Sequence, residues 1–429
     1  MQVQLTREVG LLGAVLMGLG SIVGTGVFVS IGIAAGVTGP SVLLAVVLAA
    51  LLAGCNALSS AQLAASHPVS GGTYEYGYKY LSPALGFTAG WMFLCAKSAS
   101  AATAALGFSG YLLHTTGQDP GLLRWVALAA VAVLTMLVYG GLRRSNTANI
   151  VIVSLTLFSL AVFVAAGIPT LSEVGLSHFA PFLKSEPGKP WSGWTNLLHA
   201  TALMFVAYTG YGRIATLGEE VREPRTTIPR AIVATLLASA VLYSAVTVVA
   251  VGAVGPEALQ KATSGKVAPL EVVASHFSLP QTRWAVALGA VTAMLGVLLN
   301  LILGLSRVLL AMGRRGDMPK RLALLDREGT SPRRAVLITG LLIAALTFLG
   351  SVKAAWSFSA FTVLVYYAIT NLAALQLTGN ARLYPRLISW GGLAGCLFLA
   401  FWVEPKYWLA GLSVLAVGLL WHGLRRWTA

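Results

Sequence analysis

The stretch Gly20-Ser-Ile-Val-Gly-Thr-Gly-Val-Phe28 lies in the middle of an apolar run that extends from about Val9 to Ala35. A run of this length can cross a lipid bilayer, because a membrane-spanning helix needs roughly 20 apolar residues. Three glycines and two hydroxyl residues within nine positions nevertheless disfavour a continuous helix. Irregular backbone at membrane depth persists only where protein buries it or where it lines a polar cavity. The stretch therefore predicts a broken helix whose freed N–H and C=O groups are available to a polar ligand.

The composition of the whole chain is typical of an integral membrane protein. Of its 429 residues, 57% are hydrophobic and 10% are charged, and the mean hydropathy is +0.79. These values exclude an ordinary soluble domain and a disordered chain. The formal net charge is +15, but the charges lie in short loops between apolar runs and form no basic face with interleaved aromatic residues. We therefore expect contact with the lipid bilayer and no binding of nucleic acid.

Apolar runs bounded by charged residues, proline or glycine predict an all-α polytopic membrane protein with about 12 transmembrane helices. The approximate spans are 9–35, 40–65, 83–114, 122–140, 147–168, 194–217, 229–254, 282–312, 334–351, 354–378, 388–403 and 406–424. The first span is too long for a signal peptide and lacks a small-residue cleavage site, so we expect it to be retained. The longest loops, 169–193 and 313–333, are short, so residues 1–429 are expected to form a single transmembrane domain.

The distribution of basic residues predicts the orientation of the chain. With the N-terminus inside, 20 Lys and Arg residues fall in cytoplasmic loops and termini and 8 fall on the opposite side. Cytoplasmic loops carry an excess of Lys and Arg. We therefore expect both termini to be cytoplasmic, in a cell membrane (plasma or inner).

A second glycine-containing interruption, Phe205-Val-Ala-Tyr-Thr-Gly-Tyr-Gly212, occurs five spans after the first. Interrupted helices at corresponding places in two halves are typical of inverted-repeat transporters that bind their ligand at the membrane midplane. This pattern predicts repeat one at about 9–168, repeat two at about 194–378, and two extra helices at about 388–424. The alternative is close helix packing, because small residues also mark helix interfaces in membranes.

Four motifs, in order along residues 10–335, resemble those of the amino acid–polyamine–organocation (APC) superfamily. They are Gly20–Phe28, Pro68–Tyr76 with Gly86-Phe87 and Gly90-Trp91 following, Glu219–Ile232, and Ser306–Pro319. The resemblance implies a five-plus-five inverted repeat with broken helices 1 and 6, plus two C-terminal helices. It also implies secondary active transport of amino acids or related amines by alternating access.

The first interruption has the chemistry of a carboxylate site. A half-helix that starts after a break exposes N–H groups at its positive end, and we expect the N–H groups of Thr25 and Gly26 to donate to an anion. By resemblance, the carbonyls of Ile22, Val206 and Thr209 receive an ammonium group. A zwitterion would satisfy both sets without a charged side chain. The substrate-binding prediction comprises Ile22, Gly24, Thr25, Gly26, Val206, Tyr208, Thr209 and Gly210, with packing an equal alternative for Tyr208.

Lys97 is the charged residue that lies deep in a predicted span. A buried charge is expensive in a membrane and is by default a functional candidate. It is expected either to take part in coupling, by binding and releasing a proton, or to contact the substrate side chain. The alternative is a lysine that snorkels or braces the bundle. None of the 14 acidic residues lies at the centre of a span, so dedicated transport of cationic amino acids is disfavoured.

Charged residues after spans six and eight form a candidate cytoplasmic gate. The predicted members are Glu219, Glu220, Arg222 and Arg307. Ion pairs among exposed loops contribute only about 0–1 kcal/mol each, so their effect would be on the population of the closed state. Orientation charge and helix capping are the alternative roles.

These observations predict a permease for amino acids, favouring neutral zwitterions, with uniport, exchange and proton symport left open. The alternatives are a transporter of acidic amino acids or of amines and polyamines, or an inorganic-ion cotransporter on the same fold. No acid, base and nucleophile group is recognisable, so we expect no enzyme activity. No cofactor and no metal site are expected, since no His, Cys, Asp and Glu cluster has ligand spacing. The sequence does not indicate whether a partner protein is needed.

Overall fold

The computed structural model describes residues 9–68, 71–141, 146–185, 187–215, 221–265, 267–325 and 332–427. Within these ranges the chain is helical, and its strand-like pairing is limited to one isolated bridge between Val9 and Val221. The α-helices are α1 (Leu11–Ile22), α2 (Ile31–Thr38), α3 (Val42–Ser66), α4 (Thr73–Tyr80), α5 (Pro83–Thr116), α6 (Leu123–Tyr139), α7 (Asn146–Val174), α8 (Ser192–Tyr208), α9 (Gly212–Ala215), α10 (Pro224–Gly265), α11 (Pro269–Ala274), α12 (Thr282–Arg315), α13 (Arg333–Leu349), α14 (Val352–Leu375), α15 (Arg386–Ala400) and α16 (Pro405–Trp427). A π-helical turn occupies Gly26–Ser30, and 3₁₀ turns occupy Gly39–Ser41, Pro120–Leu122, Ser177–Phe179, Thr209–Tyr211, Lys320–Ala323 and Gly379–Ala381.

Each predicted span coincides with a helix or with a pair of consecutive helices. The first span comprises α1 and α2, and the sixth comprises α8 and α9. By length and composition, 7 helical stretches of the described chain are apolar enough to cross a membrane, and one of them, Leu11–Ser66, joins α1, α2 and α3. The prediction of an all-α polytopic membrane protein is confirmed.

The helices differ in how much of their surface lies inside the protein. In the most apolar window of α14, 83% of residues are buried, against 17% in the corresponding window of α16. Helix α5 packs against α12 and α14, and α3 packs against α8 and α10. Large apolar side chains on other helices, such as Leu349 and Leu387, are 80% exposed. In a bilayer such side chains contact lipid, so α5 and α14 belong to the centre of the bundle and α16 to its periphery.

The first interruption begins at the end of α1, where Val23 takes an extended conformation (φ −79°, ψ 102°). The chain returns to helical geometry at Thr25 and then forms the π-helical turn Gly26–Ser30, which leads into α2. The N–H groups of Val27 and Phe28 both donate to the carbonyl of Gly24, each at 3.1 Å. The break is therefore confined to residues 23 and 24, and Gly20 lies inside α1.

The second interruption is milder than the first. Helix α8 ends at Tyr208 and continues as one 3₁₀ turn, Thr209–Tyr211, before α9. A 3₁₀ turn within a helix has a tighter backbone and marks a local irregularity. The two interruptions touch each other, since a Cβ atom at Gly210 would lie 2.3 Å from the carbonyl oxygen of Ser21. The absence of a side chain at residue 210 allows this contact.

Candidate functional site

A small cavity lies between the two helix interruptions, with a volume of about 40 Å³. This volume has room for about three water molecules. The predicted site residues that line it are Ile22, Thr25, Gly26, Lys97, Val206, Thr209 and Gly210. A larger ligand would therefore have to expand the cavity by moving side chains or whole helices.

Thr25 provides the unpaired polar group of the cavity. The residue is 4% exposed, and its Oγ1 has no hydrogen-bond partner in the described part of the chain. Thr25 immediately precedes the helical turn that starts at Gly26. The N–H groups of Val27 and Phe28 already donate to the Gly24 carbonyl, so the donor site consists of the Thr25 hydroxyl and the N–H groups that precede Val27.

The carbonyl side of the cavity is already hydrogen-bonded by the protein. Tyr243 on α10 donates its hydroxyl to the carbonyl of Ile22 at 2.8 Å. The Thr209 hydroxyl donates to the carbonyl of Val206 at 2.8 Å. Tyr367 on α14 donates to the carbonyl of Thr209 at 3.2 Å. Each of the three carbonyls predicted to bind an ammonium group thus accepts a hydrogen bond from a side chain.

Lys97 lies on α5 and reaches the second interruption. Its side chain is 9% exposed, and Nζ lies 2.8 Å from Thr209 Oγ1 and 3.5 Å from the Thr209 carbonyl oxygen. Among the described residues that line the cavity, Lys97 carries the single full charge, and none is acidic. The lysine therefore points into the bundle centre and does not snorkel toward the membrane surface.

Two residues of the predicted set do not line the cavity. Gly24 packs against α12, since a Cβ atom there would lie 2.6 Å from Val297 Cγ2. Tyr208 is fully buried elsewhere, where its hydroxyl donates to the carbonyl of Val46 at 3.3 Å and its ring packs against Tyr243. The structure therefore places Tyr208 among packing residues behind the cavity.

Other residues complete the wall of the cavity. They are Ser21, Ser100, Ala207, Val297, Leu301 and Trp356. The sequence patterns singled out neither the apolar members of this wall nor Trp356. The indole of Trp356, in the apolar α14, donates to the carbonyl of Leu203 at 2.9 Å. The one sequence feature that could have indicated this contact is the presence of a tryptophan within an apolar span.

The structure describes two of the four predicted gate residues, Arg222 and Arg307. Glu219 and Glu220 lie outside the described residues. Arg222 donates its backbone N–H to the carbonyl of Val9 at 3.0 Å, and the Arg307 side chain is exposed on α12. The structure thus gives no test of pairing among these four residues.

Another polar cluster links α4 to the end of α12. Arg315 forms an ion pair with Glu75. The hydroxyls of Tyr74 and Tyr78 each donate to the Asp317 carboxylate at 2.7 Å. Burial, reinforced by the hydrogen bond to Asp317, raises the pKa of both phenols, so they remain protonated donors.

On the other side of the cavity, the short helix α11 is fastened to α5. The Tyr111 hydroxyl donates to the carbonyl of Phe28 at 2.7 Å and accepts from the N–H of Leu270 at 3.1 Å. The hydroxyl of Thr115 donates to Glu271 at 2.9 Å, and His114 Nδ1 lies 2.9 Å from the same carboxylate. Tyr111 therefore ties α11 directly to the turn that follows the first interruption.

Comparisons with known proteins agree with this architecture. An uncharacterized transporter of Mycobacterium tuberculosis is 40% identical over 425 residues, which covers 99% of this chain and 92% of the relative. The branched-chain amino acid permease BcaP of Bacillus subtilis is 28% identical, with 80% of this chain and 74% of the relative covered. The crystal structure of MhsT in complex with L-phenylalanine matches with a TM-score of 0.62 and 17% identity, covering 97% of this chain and 99% of that one, and shows the shared fold.

The family assignment rests on nearly the whole length of the chain. The model of the amino acid permease family matches residues 13–425. The matching relatives are transporters and not enzymes. The protein belongs to the amino acid permease family of integral membrane transporters.

Proposed function

We propose that this protein is a secondary active transporter of neutral, zwitterionic amino acids that works by alternating access. The observation that carries the proposal is the cavity between the two helix interruptions, where an unpaired Thr25 hydroxyl and the start of a helical turn lie opposite backbone carbonyls. The branched-chain substrate named for the Bacillus subtilis relative is consistent with a neutral ligand.

The two ends of a bound zwitterion would meet different parts of the site. Its carboxylate would accept hydrogen bonds from Thr25 and from the N–H groups at the start of the turn at Gly26. Its ammonium group would approach the carbonyl cluster at Ile22, Val206 and Thr209. The absence of an acidic side chain among the described lining residues disfavours ligands with a second positive charge.

The polar links on the two sides of the cavity suit alternating access. The cluster at Asp317 joins α4 to the end of α12, and the contacts of Tyr111 join α11 to α5 and the first span. Opening one link at a time would expose the cavity to one side of the membrane. The loops on the Asp317 side carry the excess of basic residues, which is typical of the cytoplasmic side of a membrane. In this proposal both termini lie on that side and are cytoplasmic.

Ligand-dependent thermal stabilisation of the purified protein tests the substrate class. A ligand that binds the native state alone raises the unfolding temperature. We expect stabilisation by one or more neutral amino acids, and uptake of the same compounds into proteoliposomes. Stabilisation by acidic amino acids, by amines or polyamines, or by inorganic salts alone would replace the proposal with the corresponding alternative.

A matched pair of variants links binding to the cavity. Thr25→Val removes the unpaired hydroxyl with little change of shape and should weaken binding about tenfold, as for a lost hydrogen bond to a charged group. Thr292→Val removes a hydroxyl of α12 that donates to a carbonyl of its own helix, and should leave binding unchanged. Equal effects of the two substitutions would argue against a carboxylate at Thr25.

A further inference from the structure

The backbone carbonyls on one side of the cavity and the Thr25 hydroxyl on the other differ in how many of their hydrogen bonds the protein itself supplies. The carbonyls of Ile22, Val206 and Thr209 each accept a hydrogen bond from a side chain. The Thr25 hydroxyl, by contrast, is buried without a partner. Buried polar groups are normally hydrogen-bonded, so the free hydroxyl indicates that a ligand group completes this side of the cavity. The Thr25 hydroxyl can donate to a carboxylate, whereas each of the three carbonyls already uses one of its two lone pairs.

Lys97 occupies the position expected for the amino group of a ligand. Its Nζ lies 2.8 Å from Thr209 Oγ1 and 3.5 Å from the Thr209 carbonyl oxygen, within the cavity. A ligand ammonium bound to the same carbonyl would lie within a few ångströms of Nζ. Two positive charges this close repel strongly where water is excluded. An amino acid thus requires Lys97 to withdraw or to lose its proton, whereas a ligand without an amino group does not.

We propose that this site also binds and transports small monocarboxylates that lack an amino group, namely 2-oxo acids, with Lys97 supplying the positive charge from the protein. The ligand carboxylate lies at Thr25 and the start of the Gly26 turn, and the ammonium of Lys97 stays on Thr209. Ligand and lysine together are then electrically neutral inside the cavity. This inference rests on the proposed function, because it uses the same site.

The proposal predicts opposite pH dependences for two ligands that share a carbon skeleton. Binding of a 2-oxo acid requires the protonated lysine and is favoured at low pH. Binding of the matching amino acid is favoured at high pH, because the lysine releases its proton to water when the ligand ammonium takes its place. Both complexes are electrically neutral, with the ammonium group on Lys97 in one and on the ligand in the other.

Few other titratable groups face Lys97. Tyr367 of α14 shares the Thr209 carbonyl, and Tyr211 packs on Tyr367. Helix α12 contributes the apolar Val297 and Leu301 to the wall. No carboxylate, histidine or second cation is among the described residues that line the cavity. Phenols titrate well above neutral pH, so among these groups Lys97 is the one on which the predicted pH dependence of binding rests.

The test uses matched ligand pairs with the purified, full-length protein in proteoliposomes. The pairs are L-alanine with pyruvate, L-leucine with 4-methyl-2-oxopentanoate, L-methionine with 4-methylthio-2-oxobutanoate, and L-phenylalanine with phenylpyruvate. For the best-transported amino acid, uptake and thermal stabilisation are measured for both members at about pH 6 and about pH 8.5. We expect the oxo acid to compete with its amino acid at the lower pH and to lose affinity at the higher pH.

Variants at Lys97 test whether its positive charge is what binds the oxo acid and makes binding depend on pH. Lys97→Met should weaken binding of the oxo acid about tenfold or more while the amino acid still binds, and should remove the pH dependence of both. Lys97→Arg keeps the charge and should retain oxo acid binding at both pH values. Lys261→Met, which changes an exposed lysine of α10, is the control and should behave as the wild type.

The outcomes separate this inference from the proposed function. Transport of an amino acid whose oxo acid neither competes nor is transported at either pH overturns the inference and leaves the proposed function standing. Equal binding of the oxo acid by the wild type and Lys97→Met also overturns it. Failure of every amino acid and every oxo acid in the panel would contradict both. The wild-type comparison across pH decides the question even if a Lys97 variant does not fold.

Discussion

At the scale of single residues, two glycines hold the helix interruptions together. A Cβ atom at Gly26 would lie 2.7 Å from Ala207 Cβ and 2.9 Å from Ala207 Cα. One at Gly210 would lie 2.3 Å from the carbonyl oxygen of Ser21. Distances under 3 Å to backbone cannot be relieved by a rotamer change. The first and sixth spans must therefore separate if either glycine gains a side chain.

The first prediction follows from this contact. Gly26→Ala and Gly210→Ala should each abolish uptake and destabilise the protein by about 1–3 kcal/mol, as overpacking does. Gly304→Ala on α12 is the control, because nothing lies within 4 Å of its added Cβ. Uptake into proteoliposomes and thermal unfolding check both effects. Normal uptake by a well-expressed Gly26→Ala protein would show that the close contact is not needed for transport.

The second prediction concerns Tyr243, whose hydroxyl donates to the carbonyls of Ile22 at 2.8 Å and Ala207 at 3.2 Å. Tyr243→Phe leaves both carbonyls of the interruptions without this donor, at an expected loss of about 1–3 kcal/mol in unfolding free energy. Tyr208→Phe removes a longer bond, of 3.3 Å to Val46, outside the cavity and should cost less. Thermal unfolding of the two variants gives the comparison. A larger loss in Tyr208→Phe would contradict this account.

Sequence reasoning identified part of the site at this scale. It singled out Thr25, Thr209 and Lys97 because hydroxyls, glycines and a lysine are unusual in an apolar span. It did not identify Tyr243 as a donor, because the tyrosine lies 221 residues from Ile22 along the chain and only the packing of α10 against α1 brings them together. A contact between distant helices leaves no local signal in a single sequence.

At the scale of elements, hydropathy predicted the spans but not the polar helices between them. Helix α6 (Leu123–Tyr139) agrees with the prediction of 122–140 within one residue at each end. Helix α4 was missed, because Thr73–Tyr80 carries Glu75 and Lys79 and has no apolar run. The predicted end of the seventh span at 254 lies next to a break in α10 at Gly255, where φ is 77° and the backbone is not helical, and a second helical segment follows to Gly265. Glycine adopts this conformation without strain, so the chain can turn there between the two segments.

The third prediction tests the link between α4 and α12. Asp317→Ala removes the acceptor of both the Tyr74 and Tyr78 hydroxyls. Because the carboxylate is 6% exposed, we expect a lower unfolding temperature and greater access from the Asp317 side of the membrane. Labelling of a single introduced cysteine near Ser100, in a background without Cys55, Cys95 and Cys396, measures that access.

Glu173→Gln provides the control for this link. Glu173 is an exposed acid at the end of α7, so its substitution should change neither labelling nor the unfolding temperature. Labelling from the Asp317 side that stays at the wild-type level in Asp317→Ala would show that the cluster stabilises the fold without closing the pathway. The predicted role of Glu219, Glu220, Arg222 and Arg307 stays a prediction and can be tested by the same labelling in Glu220→Gln.

At the scale of the whole molecule, the periphery and the centre of the bundle have different compositions. The exposed faces of α13, α15 and α16 carry large apolar side chains, including Leu349, Leu387 and Trp427. The centre contains the small residues and hydroxyls of α5 and α14. A soluble protein exposes mainly polar side chains, whereas the exposed faces of these helices are apolar. This distribution matches a helix bundle that is surrounded by lipid. The bounds of the two repeats, about 9–168 and 194–378, remain a prediction.

The last prediction is the orientation of the chain in the membrane. With 20 basic residues on one side and 8 on the other, both termini should be cytoplasmic. A fluorescent protein fused after Ala429 should fluoresce, and an alkaline phosphatase fused there should be inactive, because phosphatase matures outside the cytoplasm. The same phosphatase inserted at Gly117, an exposed glycine with no atoms near its added Cβ, should be active. Active phosphatase at the C-terminus with inactive enzyme at Gly117 would reverse the orientation and place the Asp317 cluster on the outer side.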